Sequence, residues 1–410
     1  MNAPASFALG KSRSVGAANI LFPADLARHA LILGNTGSGK TVTTERIVHG
    51  ALAAGAPVVI VDGKGGRLER TARALATLHQ LPFRSALGLS PNSLGYNPCR
   101  IGEPAQVADK LVSSFTFDPA GEIYRQVAQE AISVLVTAMR LAGIRVTMRS
   151  LADALDPSAM RGLAERVAIQ DADLARELRG LSSRGNPSST AYLGMRARLG
   201  SVVRGVFGPA LERGPSLRIS AALKDRSVTH ISLPAMASTG DVSVMARILI
   251  QDLKQAACLR LGAQDLPPAV VVLDEFAALG DPTQMVDLLR QSREAQISIV
   301  VASQQLPENV DLRGSLLSSG LVICHQVTGA DAETMSARFG TRPDIVVSRT
   351  LDPARRGKVA GTSIRRSERP EISASELMHL PTGRAAVVWN TSGHRVAIVD
   401  IEPLTARGVA

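Results

Sequence analysis

Residues Gly34-Asn35-Thr36-Gly37-Ser38-Gly39-Lys40-Thr41 constrain this chain more than any other segment. They follow a short apolar run (residues 30–33) and precede a helical pattern with Val42, Ile47 and Val48 as its apolar positions. Strand, glycine-rich turn, helix is the setting in which GxxxxGK[ST] forms a phosphate-binding loop. The glycines let backbone N–H groups curl around phosphate oxygens. The N-terminus of the following helix adds its positive dipole end. Lys40 is expected to reach the β- and γ-phosphates, and the Thr41 hydroxyl to ligate Mg2+. The octet therefore predicts a site for ATP and Mg2+ in an α/β fold.

Such a loop needs an acidic partner at the end of a neighbouring strand. Residues 269–273 form an unbroken apolar run, and Asp274-Glu275 follow it directly. Asp274 is expected to hold the Mg2+ shell. Glu275 is expected to polarise the attacking water as general base. A second buried strand at residues 57–61 ends in Asp62-Gly63-Lys64-Gly65-Gly66, and a third begins near Phe83. Short apolar strands alternating with helices imply a mostly parallel sheet covered on both faces.

The character changes after Tyr96-Asn97-Pro98. Residues 105–211 show helical periodicity and few strand signals. We read residues 1–99 and 216–410 as two parts of one nucleotide-binding domain, and residues 100–215 as an inserted all-α domain. Sheet character returns at residues 228–233, with a helix at 242–261. Further strands are expected at 297–302 and 321–325, and a hairpin at 385–401 turning at Thr391-Ser392-Gly393. Residues 349–369 are polar and basic and are expected to be exposed and mobile. No internal repeat is visible.

Charge bears on the partner. The chain has 410 residues, a formal net charge of +10 and a pI near 10.1. That balance suits an anionic partner: nucleic acid, nucleotide or an acidic membrane face. The bland alternative is the codon usage of a GC-rich genome, because only 7 of the 46 basic residues are lysines. Aromatics are 3%, too few for base-stacking platforms. Contact with DNA is therefore expected along the phosphate backbone, with little sequence preference. Cys99, Cys258 and Cys324 lie far apart and form no CxxC, so they read as buried thiols rather than zinc ligands or a disulfide framework. Neither a signal peptide nor a membrane span is apparent; the best candidate, residues 131–143, is short and contains Arg140. A soluble chain is expected.

Several blocks together resemble the type IV coupling proteins, the TraG/TraD-type ATPases of bacterial conjugation in the FtsK/HerA class. Arg28-His29-Ala30-Leu31-Ile32-Leu33 and the octet that follows resemble that family's nucleotide-binding entrance. Leu273-Asp274-Glu275-Phe276-Ala277-Ala278-Leu279-Gly280 matches its LDEFxxLG block. Val61-Asp62-Gly63-Lys64-Gly65 resembles its D-P-K-G, with Gly63 in place of proline. Tyr96-Asn97-Pro98 matches its Asn-Pro step before a helical domain. Residues 342–369 and Glu376-Leu377-Met378-His379-Leu380-Pro381 resemble its C-terminal blocks. The resemblance covers nearly the whole chain and implies a RecA-like P-loop fold.

It also implies further roles. Arg293, on the helix after the acidic motif, would reach a neighbouring subunit's γ-phosphate, with Arg290 as the competing position. Gln304, in Ile299-Val300-Val301-Ala302-Ser303-Gln304-Gln305, would sense the γ-phosphate and the attacking water, with Gln305 as the competing neighbour. Asp62 and Lys64 would contact nucleotide or a subunit edge, or form a plain surface turn. The implied activity is DNA-stimulated ATP hydrolysis by a hexameric ring that couples or pumps DNA to a type IV secretion channel. Relaxase and secretion-channel proteins are its implied partners, and its place is cytoplasmic or peripheral at the inner membrane. Many coupling proteins begin with a transmembrane anchor, and none is visible before Arg28. Alternatives are an ATPase that recruits protein cargo, a cytosolic DNA-translocating relative, and a nucleotide-gated module without turnover. The joint presence of Lys40, Asp274, Glu275 and Gln304 speaks against the last.

Overall fold

The apolar runs lie side by side at the centre of one sheet. A computed structural model describes residues 5–12, 16–88, 90, 92–183, 188–234, 239–263, 266–275, 281–352, 358–391 and 393–404. Its strands are β1 (Ala5–Ser12), β2 (Gly16–Phe22), β3 (Ala30–Leu33), β4 (Val58–Asp62), β5 (Phe83–Ala86), β6 (Gly95–Tyr96), β7 (Ser216–Leu217) and β8 (Val228–Ser232). There follow β9 (Ala269–Asp274), β10 (Ile297–Ser303), β11 (Leu321–Cys324), β12 (Thr341–Asp352), β13 (Lys358–Pro370), β14 (Arg384–Trp389) and β15 (Arg395–Ile401). Among the described residues the main sheet runs β2-β1-β15-β14-β11-β3-β10-β9-β4-β8-β5. Every pairing from β11 to β5 is parallel. Every pairing from β2 to β11 is antiparallel.

The parallel strands are apolar throughout because both of their faces are covered. Leu31, Leu33, Val59, Val61, Val271, Leu273 and Val301 point to one face, into a core shared with the helices Glu122–Leu141, Thr239–Leu261 and Pro282–Glu294. The alternate residues Ile32, Val58, Ile60, Val270, Val272 and Val300 point to the other, under the helices Lys40–Ala53 and Arg67–Leu78. Gly50 lets the first of these helices lie close to β1. A Cβ there would sit 2.2 Å from Phe7 Cγ, on top of the ring. Alanine gains up to about 1 kcal/mol of helix propensity, but overpacking costs about 1–3 kcal/mol. Gly50→Ala is therefore expected to lower the thermal unfolding midpoint; an unchanged or higher midpoint would refute the close packing.

Among the described residues, the elements from Pro104 to Glu212 are all helices. Short β6 and β7 pair in parallel, Gly95 with Ser216 and Tyr96 with Leu217, so the two ends of the helical stretch meet. Asn97 carries its amide to Val146 O at 2.9 Å. The fully buried Lys110 pairs with Asp252 on the helix Thr239–Leu261, and Tyr96 donates to the same carboxylate at 2.5 Å. A buried lysine needs a partner of this kind, and the network ties the helical stretch to the sheet side of the chain.

Three features differ from expectation. Residues 349–352 and 358–369 belong to an antiparallel ribbon of β12 and β13 rather than a structureless segment; residues 353–357 lie outside the described residues. The basic composition hid a strand signal: Ile345 and Val347 alternate along β12, and Val347 faces Ile364 across the ribbon. All three are exposed, and Ile364 lies in the segment where exposure was expected. The hairpin β1–β2 was not foreseen. Its period-2 pattern, with Ala18, Ile20 and Phe22 buried, carries small residues that weaken the signal. Cys99 and Cys324 are buried as expected, but Cys258 is exposed on the outer side of its helix. The β14–β15 hairpin forms, while Ser392 of its turn lies outside the described residues. No helix among the described residues is long and apolar enough to cross a membrane.

Candidate nucleotide site

The C-terminal ends of β3, β10, β9 and β4 lie next to one another in the sheet. Register aligns Leu33 with Ser303, Ala302 with Asp274, and Asp274 with Asp62. Ligands bind at this end of an open parallel sheet, and the phosphate loop leaves β3 here. Gly34 N donates to Ser303 O at 3.2 Å, anchoring the loop to β10. Gly39 takes φ +120, a conformation that side chains disfavour. The helix Lys40–Ala53 begins at the next residue, aiming its free N–H groups at the loop.

Lys40 is 4% exposed and folds over the loop, donating to Gly34 O at 2.5 Å and Asn35 O at 3.0 Å. Burial, and next the charge of Lys64, push its pKa down. Thr36 is exposed at the loop's crest and donates through Oγ1 to Gln304 Oε1 at 2.8 Å. Gln304 in turn donates through Nε2 to Glu275 Oε1 at 3.1 Å. Gln304, not Gln305, thus spans the phosphate loop and the acidic motif. Glu275 itself sits at φ +57, with its N–H held by Ala302 O at 2.9 Å. The remainder of the LDEFxxLG block, residues 276–280, lies outside the described residues.

Asp274 is 5% exposed. Burial pushes its carboxyl up, the Lys64 charge opposes this, and Asp62 and Glu275 add to the rise, to a pKa of about 6. Among the described residues no group of three or more His, Cys, Asp or Glu could hold a metal. The donor set instead fits Mg2+, which is held through one or two protein oxygens and substrate phosphates. Thr41, half-buried at the start of the helix, and Asp274, at the end of β9, would supply those oxygens.

One neighbour of the loop escaped the sequence reading. His325 follows β11 as Asp274 ends β9, and that shared position at a strand end was the available signal. It is fully buried, with Nε2 2.8 Å from Thr43 Oγ1 and Nδ1 3.1 Å from Arg384 O. The loop rests on it: a Cβ on Gly34 would lie 2.6 Å from His325 Cβ, and one on Gly39 would lie 3.1 Å from Cε1. Burial holds its pKa at about 4, a bond to Arg384 O opposing and Lys40 adding to the drop. The folded protein thus refuses a proton that the unfolded chain accepts near pH 6.5. Above that pH His325 is neutral in both states and contributes no pH dependence. As pH falls from 6.5 towards 4, the unfolded state gains the proton and stability is lost, by up to about 3 kcal/mol. His325→Asn is expected to flatten that part of the curve in denaturant titrations across the window; an unchanged slope would refute the assignment.

Arg293 occupies the opposite end of the sheet. It lies beside Gln296, Ile297 and Ser298 where β10 begins. With Arg28, Arg290, His29, Ser315 and Ser318 it lines a cleft of about 530 Å³. β10 separates this cleft from Gln304 by seven residues, about 20 Å at ~3.3 Å per residue. Neither Arg293 nor Arg290 can reach its own phosphate loop, and both are exposed. His29 fixes the local geometry: Nδ1 accepts from Ile299 N at 3.1 Å, so Nε2 carries the proton and donates to Leu289 O at 2.6 Å.

Comparison with known proteins bears on this arrangement. Residues 12–66 match the family model described as Helicase HerA, central domain. That segment ends just past β4 and contains the whole phosphate loop. No curated protein matches in sequence. Among solved structures, the bacterial conjugative coupling protein TrwBdeltaN70 in its unbound form superposes with a TM-score of 0.67 at 18% identity, covering 97% of this chain and 89% of that one. The chain has the fold of TrwB. TrwB in complex with ADP and Mg2+ gives 0.66 at 17% identity, covering 97% and 90%. VirB4 of Thermoanaerobacter pseudethanolicus gives 0.60 at 17% identity, covering 100% and 99%. The α/β class and RecA-like P-loop sheet expected from the sequence are therefore present.

Proposed function

We propose that the chain is a P-loop ATPase that works as a DNA motor of the conjugative coupling type, using ATP and Mg2+. The observation that carries this reading is the span from Thr36 through Gln304 to Glu275. It joins the place of the phosphates to the group that would take the proton from water. Gly34, Asn35, Gly37, Ser38 and Gly39 form the cradle with Thr36. Lys40 carries the β/γ charge, Thr41 and Asp274 hold Mg2+, Glu275 is the base and Gln304 the sensor. TrwB holding ADP and Mg2+ in the same fold supports the ligand choice.

Arg293 acts in trans. A single chain keeps its arginine at the far end of the sheet, so the complete site needs a second copy. Successive head-to-tail contacts of that kind close into a ring, and we infer a hexamer by analogy with the coupling proteins. The net charge of +10 suits the phosphate backbone of DNA as cargo. Residues 1–99 and 216–410 form the nucleotide-binding domain, with residues 100–215 as its helical insertion. We place the ring in the cytoplasm, meeting relaxase and secretion-channel proteins at the inner membrane.

The test is ATP hydrolysis by purified protein across a concentration series, with and without DNA, at two salt levels. A motor gives turnover that rises more than linearly with protein and is raised by DNA in a salt-sensitive way. Turnover indifferent to DNA but raised by a protein substrate would replace DNA with protein cargo. No turnover at any concentration would remove the ATPase reading.

A further inference from the structure

β4 ends at Asp62 and the chain turns at once through Gly63, Lys64 and Gly65. Asp62 is 1% exposed, and its Oδ1 accepts the backbone N–H groups of Lys64 and Gly65 at 2.8 Å each. Its Oδ2 meets His230 Nε2, from the adjacent β8, at 3.1 Å. Gly63 N donates to Asp274 O, on β9, at 3.1 Å. The turn is thus tied to both neighbouring strands, which is more than a plain surface turn requires. What it presents is Lys64, whose Nζ lies 2.5 Å from Glu275 Oε1. The same oxygen also accepts from Gln304 Nε2.

Most exposed ion pairs contribute little. This one differs in its place and in its partner. The Lys64 side chain is 41% exposed, but that of Glu275 is only 17% exposed. The ammonium and the amide together occupy Glu275 Oε1, so that oxygen is closed to the hydrogen of an attacking water while Lys64 stays in place. The γ-phosphate belongs between Thr36 and Lys40, and Gln304 links Thr36 to the oxygen that Lys64 holds. A γ-phosphate offers a lysine more negative charge and more acceptor oxygens than a carboxylate does.

We propose that Lys64 is a catalytic residue that transfers from Glu275 to the γ-phosphate of ATP, so that arrival of the triphosphate is what frees the base. The inference rests on the ATPase reading and deepens it. Lys64 makes no covalent bond. Glu275 takes the proton of the water whose oxygen bonds to the γ-phosphorus, the electron pair of the breaking bond stays on ADP, and Lys64 balances charge on the phosphoryl oxygens. Asp62 and His230 are positioning residues that aim the lysine.

Lys64→Ala and Lys64→Arg test this by calorimetric binding of ADP and of a non-hydrolysable ATP analogue, each with Mg2+, alongside turnover. Lys64→Ala is expected to weaken analogue binding about tenfold, the loss of one charge-assisted hydrogen bond. ADP affinity should be unchanged, which also shows that the variant is folded. Turnover should fall, and Lys64→Arg should recover part of both losses. Equal loss for ADP and analogue would make Lys64 a structural residue and overturn the proposal. No loss for either would do the same and leave the ATPase reading standing. Wild-type protein that binds neither nucleotide would overturn both.

Discussion

Glu275→Gln is expected to lower the rate of ATP hydrolysis by about 10²- to 10⁴-fold, the range for removing a positioned general base. Nucleotide binding should persist, because Lys40 and the loop that hold the phosphates are untouched. Glutamine matches glutamate in shape, and its amide oxygen can still accept from Gln304 Nε2. It cannot take up a proton from water, so the loss should fall on kcat and not on KM. The backbone supports the assignment. Glu275 sits at φ +57, a conformation costing a non-glycine residue roughly 1–3 kcal/mol, and such strain clusters at functional sites. Single-turnover hydrolysis and nucleotide-binding titration of the variant decide the matter. A variant that turns over at the full rate would remove Glu275 from the mechanism.

Parts of this site were legible in the sequence because they are contiguous. The phosphate loop and Asp274-Glu275 each occupy a few consecutive residues after an apolar run, so spacing alone located them. Gln304 was legible at one remove. It is the first residue past β10, and choosing it over Gln305 depended on register, which the pairing of Ser303 with Leu33 fixes. His325 was not legible as a site residue, and Lys64 was legible only as a contact to nucleotide or a subunit edge beside the reading of a plain surface turn, not as the partner of Glu275. Their roles depend on β4 lying beside β9 and β11 beside β3. A parallel sheet makes such neighbours from segments far apart in the chain, and no local pattern announces them. The ribbon β12–β13 failed for a different reason. Its strand alternation is real, but arginines on an exposed two-stranded element look the same as a charged loop.

The arrangement of Arg293 leads to a larger effect with a distinctive signature. Arg293→Ala should lower turnover by about 10³- to 10⁵-fold, the range for an arginine supplied in trans at phosphoryl transfer. It should leave nucleotide binding by each chain intact, because the side chain lies a full strand away from its own loop. Lys40→Ala should be inactive for the complementary reason. The two defects sit at opposite ends of the sheet, and so on opposite sides of a head-to-tail contact. Wherever an Arg293→Ala chain offers its loop to a Lys40→Ala chain, a sound loop meets a sound arginine. In an equal mixture roughly a quarter of the contacts are of this kind if subunits assemble at random. Mixing two inactive proteins should therefore restore turnover, and the same mixture made with Arg290→Ala distinguishes the two candidate arginines. An arginine acting within its own chain gives no recovery on mixing, because every chain would still carry one defect in its only site. Recovery with Arg293→Ala, beside an Arg290→Ala protein that hydrolyses ATP by itself, would identify Arg293 as the group that completes the neighbour's site.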